Sequence, residues 1–471
     1  MESSKETMKT IIKSLMAVIL GVGLFVTGCA KKQTATFQSL KNPEVAAQLK
    51  LFVAEKEAQA NAAAKADGKG MPPEYKKFFA AAEKGDWLTI SNMFWSMGRH
   101  NGAMESSGPA DMSFRGSRWE AAREIWGAFD EINAGDEKYS VAFGNDIIES
   151  IPPGSIYFGG TDSGRFIITA LQKSHVDGDP FFTLTQNALA DSSYLDYLRL
   201  MYGDKIYIPT AEDSQKSFQD YTEDVTRRQQ NHQLKPGEDV KVDAASGRVQ
   251  VSGQVAVMEI NGLLAKVIFD KNTNHEFYVE ESFPLDWMYP YLEPHDLIMK
   301  INRQPLTALS NKVVRNDSDY WTHYVTPMIG DWLNNDTTVK EVAAFTEKIH
   351  VKKDLGGFTG DPQFVQNEYS CKMFSKLRSS IGGLYAWRAQ HAADAGERSR
   401  MNDAADFAFR QAFALCPYSP EAVYRYVNLL LSEGRTADAI LVAETAAKMP
   451  QIDGEQIRNL VTQLKQFQKR N

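Results

Sequence analysis

Residues 155–166 read Ser-Ile-Tyr-Phe-Gly-Gly-Thr-Asp-Ser-Gly-Arg-Phe, and the fold turns on this stretch. Ser155–Phe158 is a short apolar, β-favouring run. Gly159 and Gly160 permit a turn, and Thr161, Asp162 and Ser163 can cap a helix that begins near Gly164. The reading is strand, loop, helix. Such a loop lies at the carboxyl end of its strand, where open α/β sheets place ligands, so a small-molecule site is expected to start here.

Downstream, the same alternation continues. Phe166–Lys173 reads as a short apolar helix and Pro180–Gln186 as a second strand. A loop follows from Asn187 to Asp191, and Asp191 or Ser192 caps a helix over Tyr194–Tyr202. Gly203 ends that helix before a third strand at Lys205–Ile208. Two strands joined by a helical crossover form a βαβ unit, parallel and right-handed. Gln215–Gln233 reads as a polar helix, and Val240, Val242, Val249 and Val251 around Ala245-Ser246-Gly247 as a hairpin. Val255–Asp270 is an expected helix, Glu276–Glu280 a strand, Leu285–Leu292 a helix and Leu297–Ile301 a strand. The expected fold class is an α/β core, Rossmann-like and three-layered with a mostly parallel sheet, preceded by helices and followed by an all-α region.

Before the core, Pro43–Ala66 has a helix-favouring composition with a weak apolar stripe. Tyr75–Glu83 and Trp87–Met97 read as a helical hairpin packed through Phe78, Phe79, Trp87, Phe94 and Trp95. His100–Gly116 is loop-like, and Trp119–Ile132 and Tyr139–Ser150 resume helical spacing. Earlier still, Lys5, Lys9 and Lys13 precede the apolar run Leu15–Val26, which closes in Val26-Thr27-Gly28-Cys29. This is the layout of a secretory signal. With cysteine at the cleavage point it resembles a bacterial lipoprotein signal, which implies lipid on Cys29. Ala30 after it implies sorting to the outer membrane, facing the periplasm. Met1 and Met8 both remain possible starts.

The chain of 471 residues carries a formal charge of −8, and 43% of its residues are hydrophobic. Removal of 1–28 would take away three lysines and two glutamates and leave −9. An acidic chain with no basic cluster is a poor nucleic-acid binder, so no nucleic acid is expected as a partner. No later run is long enough to span a bilayer, which leaves lipid as the expected membrane contact. Once Cys29 is lipidated, Cys371 and Cys416 either form a disulfide or stay as two buried thiols. The eight histidines lack metal-ligand spacing, and Gly-x-Ser-x-Gly, Walker and His-Glu-x-x-His motifs are missing, so neither metal nor cofactor is expected.

Beyond Pro305 only helices are expected. Ser318–Leu333, Val339–His350 and Gln363–His391 lead to the clearest motif. Ala405, Phe409, Ala412, Leu415 and Pro417 are spaced as in the second helix of a tetratricopeptide repeat, and Gly434, Ala439, Ile440 and Ala446 continue into the next. Gly454–Lys469 would cap the stack. The concave side of Arg425–Asp438 is the expected partner surface. The expected segments are 1–28 signal, 29–72 tether and helix, 73–150 helical, 151–312 α/β, 313–395 helical connector and 396–471 repeats.

Gly159-Gly160-Thr161-Asp162-Ser163 and Thr183-Leu184-Thr185-Gln186-Asn187-Ala188-Leu189 carry a second likeness. Ser155–Pro209 and Glu276–Arg303 resemble the soluble region that follows the membrane-embedded part of bacterial proteins similar to protein O-mannosyltransferases. The resemblance implies a related periplasmic domain. The multi-span region in which those relatives transfer lipid-linked sugar has no counterpart here. Asp177-Gly178-Asp179 matches a metal- and sugar-nucleotide-binding pattern, but it precedes its strand and is read as a turn. Thr161, Asp162, Ser163 and Arg165, opposite Asn187 and Asp191, either bind hydroxyls or an anion at two helix starts or simply cap those helices. The expected function is a non-enzymatic, lipid-anchored scaffold whose repeats bind an unidentified envelope protein. The alternative is a glycan- or sugar-handling enzyme or accessory subunit.

Overall fold

The computed structural model describes residues 41–471 except 67, 69, 101–110, 112–113, 161, 173–180, 236, 243–248, 281–285, 453 and 471. The signal with Cys29, Thr161 and the turn at Asp177-Gly178-Asp179 lie outside the described residues. Seventeen α-helices and seven short strands are present among the described residues, so the protein is mostly helical. Two compact units cut through the segment 151–312. One comprises the described residues of Lys32–Arg227 and Ala256–Glu280, and the other those of Arg228–Val255 and Glu281–Asn471.

The amino-terminal unit holds α1 (Pro43–Ala66), α2 (Pro73–Glu83), α3 (Trp87–His100), α4 (Ser117–Ala134), α5 (Glu137–Ser150), β1 (Ser155–Gly159), α6 (Asp162–Leu171), β2 (Phe181–Thr185), α7 (Ser192–Tyr202) and most of α8 (Ala211–Gln230). It also takes most of α9 (Gln254–Lys271) and all of β5 (Phe277–Val279). Within this unit the strands run in the order β2-β1-β5, with β1 parallel to both neighbours and Ser155 opposite Phe181. All residues of these strands are buried, as expected for parallel strands covered on both faces. The sheet of the protein is small and mixed, with strands of three to five residues, and is not the mostly parallel, doubly wound sheet expected. Helices supply most of the core instead. α4 packs on α1, α6 and α7 through Trp119, Ala122, Ile125, Phe129 and Ile132. Gly127 lets α4 approach α6, since a Cβ there would collide with the Phe166 ring.

The expected third strand, Lys205–Ile208, does not form. The outer edge of β2 is already occupied by side chains of the same unit. The Thr183 amide donates to Tyr202 Oη at 3.2 Å, and that hydroxyl donates to Thr183 O at 2.9 Å. Thr185 N donates to Tyr194 Oη at 2.7 Å, and Gln172 Nε2 to Phe181 O at 2.6 Å. The backbone of Tyr207 is held by Asn272, which accepts from its N–H at 2.7 Å and donates to its carbonyl at 3.0 Å. A side-chain amide thus takes the place of a strand partner at Tyr207, and the edge groups of β2 named above are bonded without another strand.

The carboxyl-terminal unit opens with a two-stranded hairpin, β3 (Asp239–Val242) against β4 (Val249–Ser252), as expected. A second hairpin pairs β6 (Leu292–His295) with β7 (Ile298–Ile301) around Asp296, whose φ of 51° is the left-handed turn conformation. The helix expected over Leu285–Leu292 is therefore corrected. Pro290 has no N–H to continue a helix, a single 3₁₀ turn covers Tyr289–Tyr291, and Leu292 starts the strand.

Helices follow: α10 (Asn311–Ile329), α11 (Val339–Thr346) running into a π-turn at Glu347–Val351, α12 (Pro362–Gln366), α13 (Glu368–Gln390), α14 (Ala395–Leu415), α15 (Pro420–Ser432), α16 (Thr436–Ala446) and α17 (Gly454–Arg470). α10 begins seven residues before the expected start because Ser310 caps it, accepting from Val313 N. The single helix expected over Gln363–His391 is split at Asn367, whose side chain accepts from Ser370 N at 2.8 Å and starts α13 anew. α13 and α14 are antiparallel. Ser375 donates to Ala412 O, Arg378 to Gln411 Oε1, and Gly382 lies under the Phe409 ring, so one number rises as the other falls. Cys371 and Cys416 are free and fully buried; burial pushes the Cys371 thiol up to about 12 and the Cys416 thiol well above its ordinary value.

Candidate functional site

The chain leaves β1, β2 and β5 at the same, carboxyl, end of these three parallel strands. Asn187 Nδ2 donates to Gly160 O at 2.8 Å, and the Gly160 amide donates to Glu280 Oε2 at 2.7 Å. Asn261 on α9 donates to Asn187 O at 3.0 Å and accepts from Ala190 N at 2.7 Å. The expected juxtaposition of Asn187 with the first loop is therefore real. Gly164 makes it possible, because a Cβ there would fall on the Glu280 carboxylate, which is 2% exposed.

The other residues expected in this site are dispersed. Asp162 and Asn187 are exposed, while Asp191 is spent on α7, accepting from Ser193 N at 2.8 Å. Ser163 turns inward to donate to Glu131 at 2.8 Å, and Arg165 is buried against the rings of Phe166 and Tyr194, 3.5 Å from Glu120. Thr161 lies outside the described residues. What the edge gathers is a set of loops bonded to one another.

Beneath it runs a buried charge network that periodicity did not reveal. Lys56 of α1 has no exposed surface and meets Glu124 at 2.6 Å and Tyr197 Oη at 2.8 Å; Tyr197 in turn donates to Glu124 at 2.6 Å. Lys56 and Arg165 hold the Glu124 carboxyl below its usual range despite its burial. The signal was legible in Glu120, Glu124 and Glu131, three carboxylates at helical spacing on a helix otherwise apolar on that face. Nearby Asp130 is pushed up to about 6, first by burial and then by the charge of Asp162.

The carboxyl-terminal unit contains a cleft of about 560 Å³ between the first turns of α10 and the middle of α14, with α13 as its floor. Arg378 donates twice to Asp317, at 2.8 and 3.0 Å, and Tyr385 donates to the same carboxylate at 2.8 Å. Arg410 pairs with Asp406 at 2.9 Å and also donates to the carbonyls of Asn335 and Thr337. Arg315, Asp319, Arg400 and Asp403 complete the charged lining. None of these was picked out from sequence. Their signal is the run Arg400, Asp403, Asp406, Arg410, three or four residues apart, which sets one charged stripe on a helix buried over most of its surface.

The repeat-motif residues sit where helices meet. Ala405, Phe409, Ala412, Pro417 and Ala439 are buried, and Gly434 makes the turn between α15 and α16 with φ of 76°. The stretch Arg425–Asp438 differs from expectation. From Glu421 to Leu431 every residue of α15 is buried except Arg425 and Asn428, which are half-buried, so an exposed concave side is lacking there. The fully exposed residues of that stretch are Ser432, Gly434 and Ala437, all at the turn. No protein-family model, curated protein or solved structure matches the chain.

Proposed function

We propose that the chain is a lipid-anchored protein of the bacterial cell envelope, tethered through Cys29 at the periplasmic face of the outer membrane. It acts without catalysis, as a scaffold that holds another envelope protein on tetratricopeptide-like helices. The observation that carries this reading is the stacking order: α13 pairs with α14, α15 with α16, α13 also touches α15, and α17 closes the end. Two consecutive pairs with a polar-faced terminal helix support the reading as a short repeat array, as does Gly382 beneath Phe409, which permits a close approach of two helices. Because α15 is buried, we assign the partner surface to the turn Ser432–Asp438, where Ser432, Gly434 and Ala437 are exposed.

The experiment has two arms. Cys29→Ala should abolish labelling with palmitate and release the chain from membranes; persistent labelling refutes the anchor. Ser432→Arg combined with Ala437→Arg, both at exposed positions, should abolish co-purification of a stoichiometric envelope protein with the full chain while leaving its melting temperature unchanged. Unaltered co-purification refutes the scaffold surface.

A further inference from the structure

The cleft between α10 and α14 holds charges of both signs in balance: four arginines, Arg315, Arg378, Arg400 and Arg410, face four aspartates, Asp317, Asp319, Asp403 and Asp406. Those on its floor are paired, Arg378 with Asp317 and Arg410 with Asp406. Those on its rim are different. Arg315, Asp319 and Asp403 are exposed and have no hydrogen-bond or ion-pair partner among the described residues. Arg400 uses Nη2 on Glu397 and on Leu309 O, whereas its Nη1 is buried with no acceptor among the described residues. A buried guanidinium N–H without an acceptor is unfavourable until a ligand brings one.

Each simple ligand class meets an obstacle in this lining. A phosphate would find the arginines but would be repelled by the rim aspartates, and a polyamine would meet the reverse. A neutral sugar would desolvate the rim ions without supplying counter-charge, whereas charge-assisted hydrogen bonds are about twice as strong as neutral ones. A ligand that is neutral overall and carries one full charge of each sign satisfies both halves of the rim. At about 560 Å³ the cleft falls within the roughly 300–1,000 Å³ of small-molecule sites.

We propose that this cleft binds a short peptide with both termini free, its carboxylate held by Arg315 and Arg400 and its ammonium by Asp319 and Asp403. The assignment does not depend on the scaffold reading, whose surface is the α15–α16 turn.

The test uses the full-length chain and an equimolar library of tripeptides with free termini, read by affinity selection with mass spectrometry and followed by titration calorimetry on the selected peptides. Selected peptides should lose at least about tenfold in affinity when the amino end is acetylated or the carboxyl end amidated, which corresponds to about 1.4 kcal/mol. Arg315→Gln and Asp403→Asn, at exposed and partner-free positions, should each weaken binding by about tenfold with no change in melting temperature. Failure to select any free tripeptide, equal binding of blocked and free peptides, or unchanged affinity in both variants overturns the proposal. So does tighter binding of inorganic phosphate or maltotriose than of any peptide.

Discussion

Lys56 is the residue at which burial and charge are most opposed. It sits with no exposed surface between Glu124 and Tyr197, and removing one member of such a pair leaves the other charge buried without its partner. Lys56→Met should cost about 3–5 kcal/mol in urea unfolding. Lys56→Met with Glu124→Gln should recover most of that loss, since the stranded charge is gone; a double variant as unstable as the single one would show that packing, rather than charge, is at stake. Asp130 makes the opposite kind of statement. Its carboxyl is pushed up to about 6 from 3.8, so the folded state binds more protons than the unfolded state between those values. Its contribution to stability is complete below the lower value and is lost as pH rises through the upper one. The advantage of Asp130→Asn over the native chain should therefore grow by on the order of 2–3 kcal/mol between about pH 3 and pH 7. A difference independent of pH would contradict the shift.

Among the elements, α7 shows why local sequence was an incomplete guide. Strand β1, the glycine turn and α6 were legible because alternation, Gly-Gly and capping residues all agree over Ser155–Phe166, and β2 followed from its β-favouring run. The strand expected at Lys205–Ile208 has a similar local pattern, yet strand pairing depends on an open edge, and Tyr194 and Tyr202 had already closed it from twenty residues or fewer away. Tyr202→Phe should accordingly cost about 1–3 kcal/mol, because it leaves the buried N–H and carbonyl of Thr183 without their partner. Hydrogen exchange at the Thr183 amide should accelerate with it; unchanged exchange would mean that β2 does not rely on the tyrosine. In the same way Asn367 split a helix that periodicity joined, and Pro290 turned an apolar run from helix to strand. The candidate loops were legible as neighbours. Their bonding to Glu280 and Asn261 was not, since those partners lie 71 to 120 residues away in sequence.

At the scale of the molecule, helices dominate both units, and the carboxyl-terminal one carries a charged cleft beside a buried helical stack. Among the described residues no helix is long and apolar enough to cross a membrane. The helices of this region were legible from their spacing, whereas the surface they present was not. Burial of α15 depends on everything packed around it, and within Arg425–Asp438 the fully exposed residues are Ser432, Gly434 and Ala437 at the turn. The scaffold reading therefore stands or falls on that turn. The most direct measurement is photo-crosslinking in the native envelope from a benzophenone amino acid placed at Ala437, with Gln463 on the exposed side of α17 as the control. The reading predicts one discrete crosslinked envelope protein from Ala437 and none from Gln463; no product at Ala437, or the same product from both positions, would contradict it.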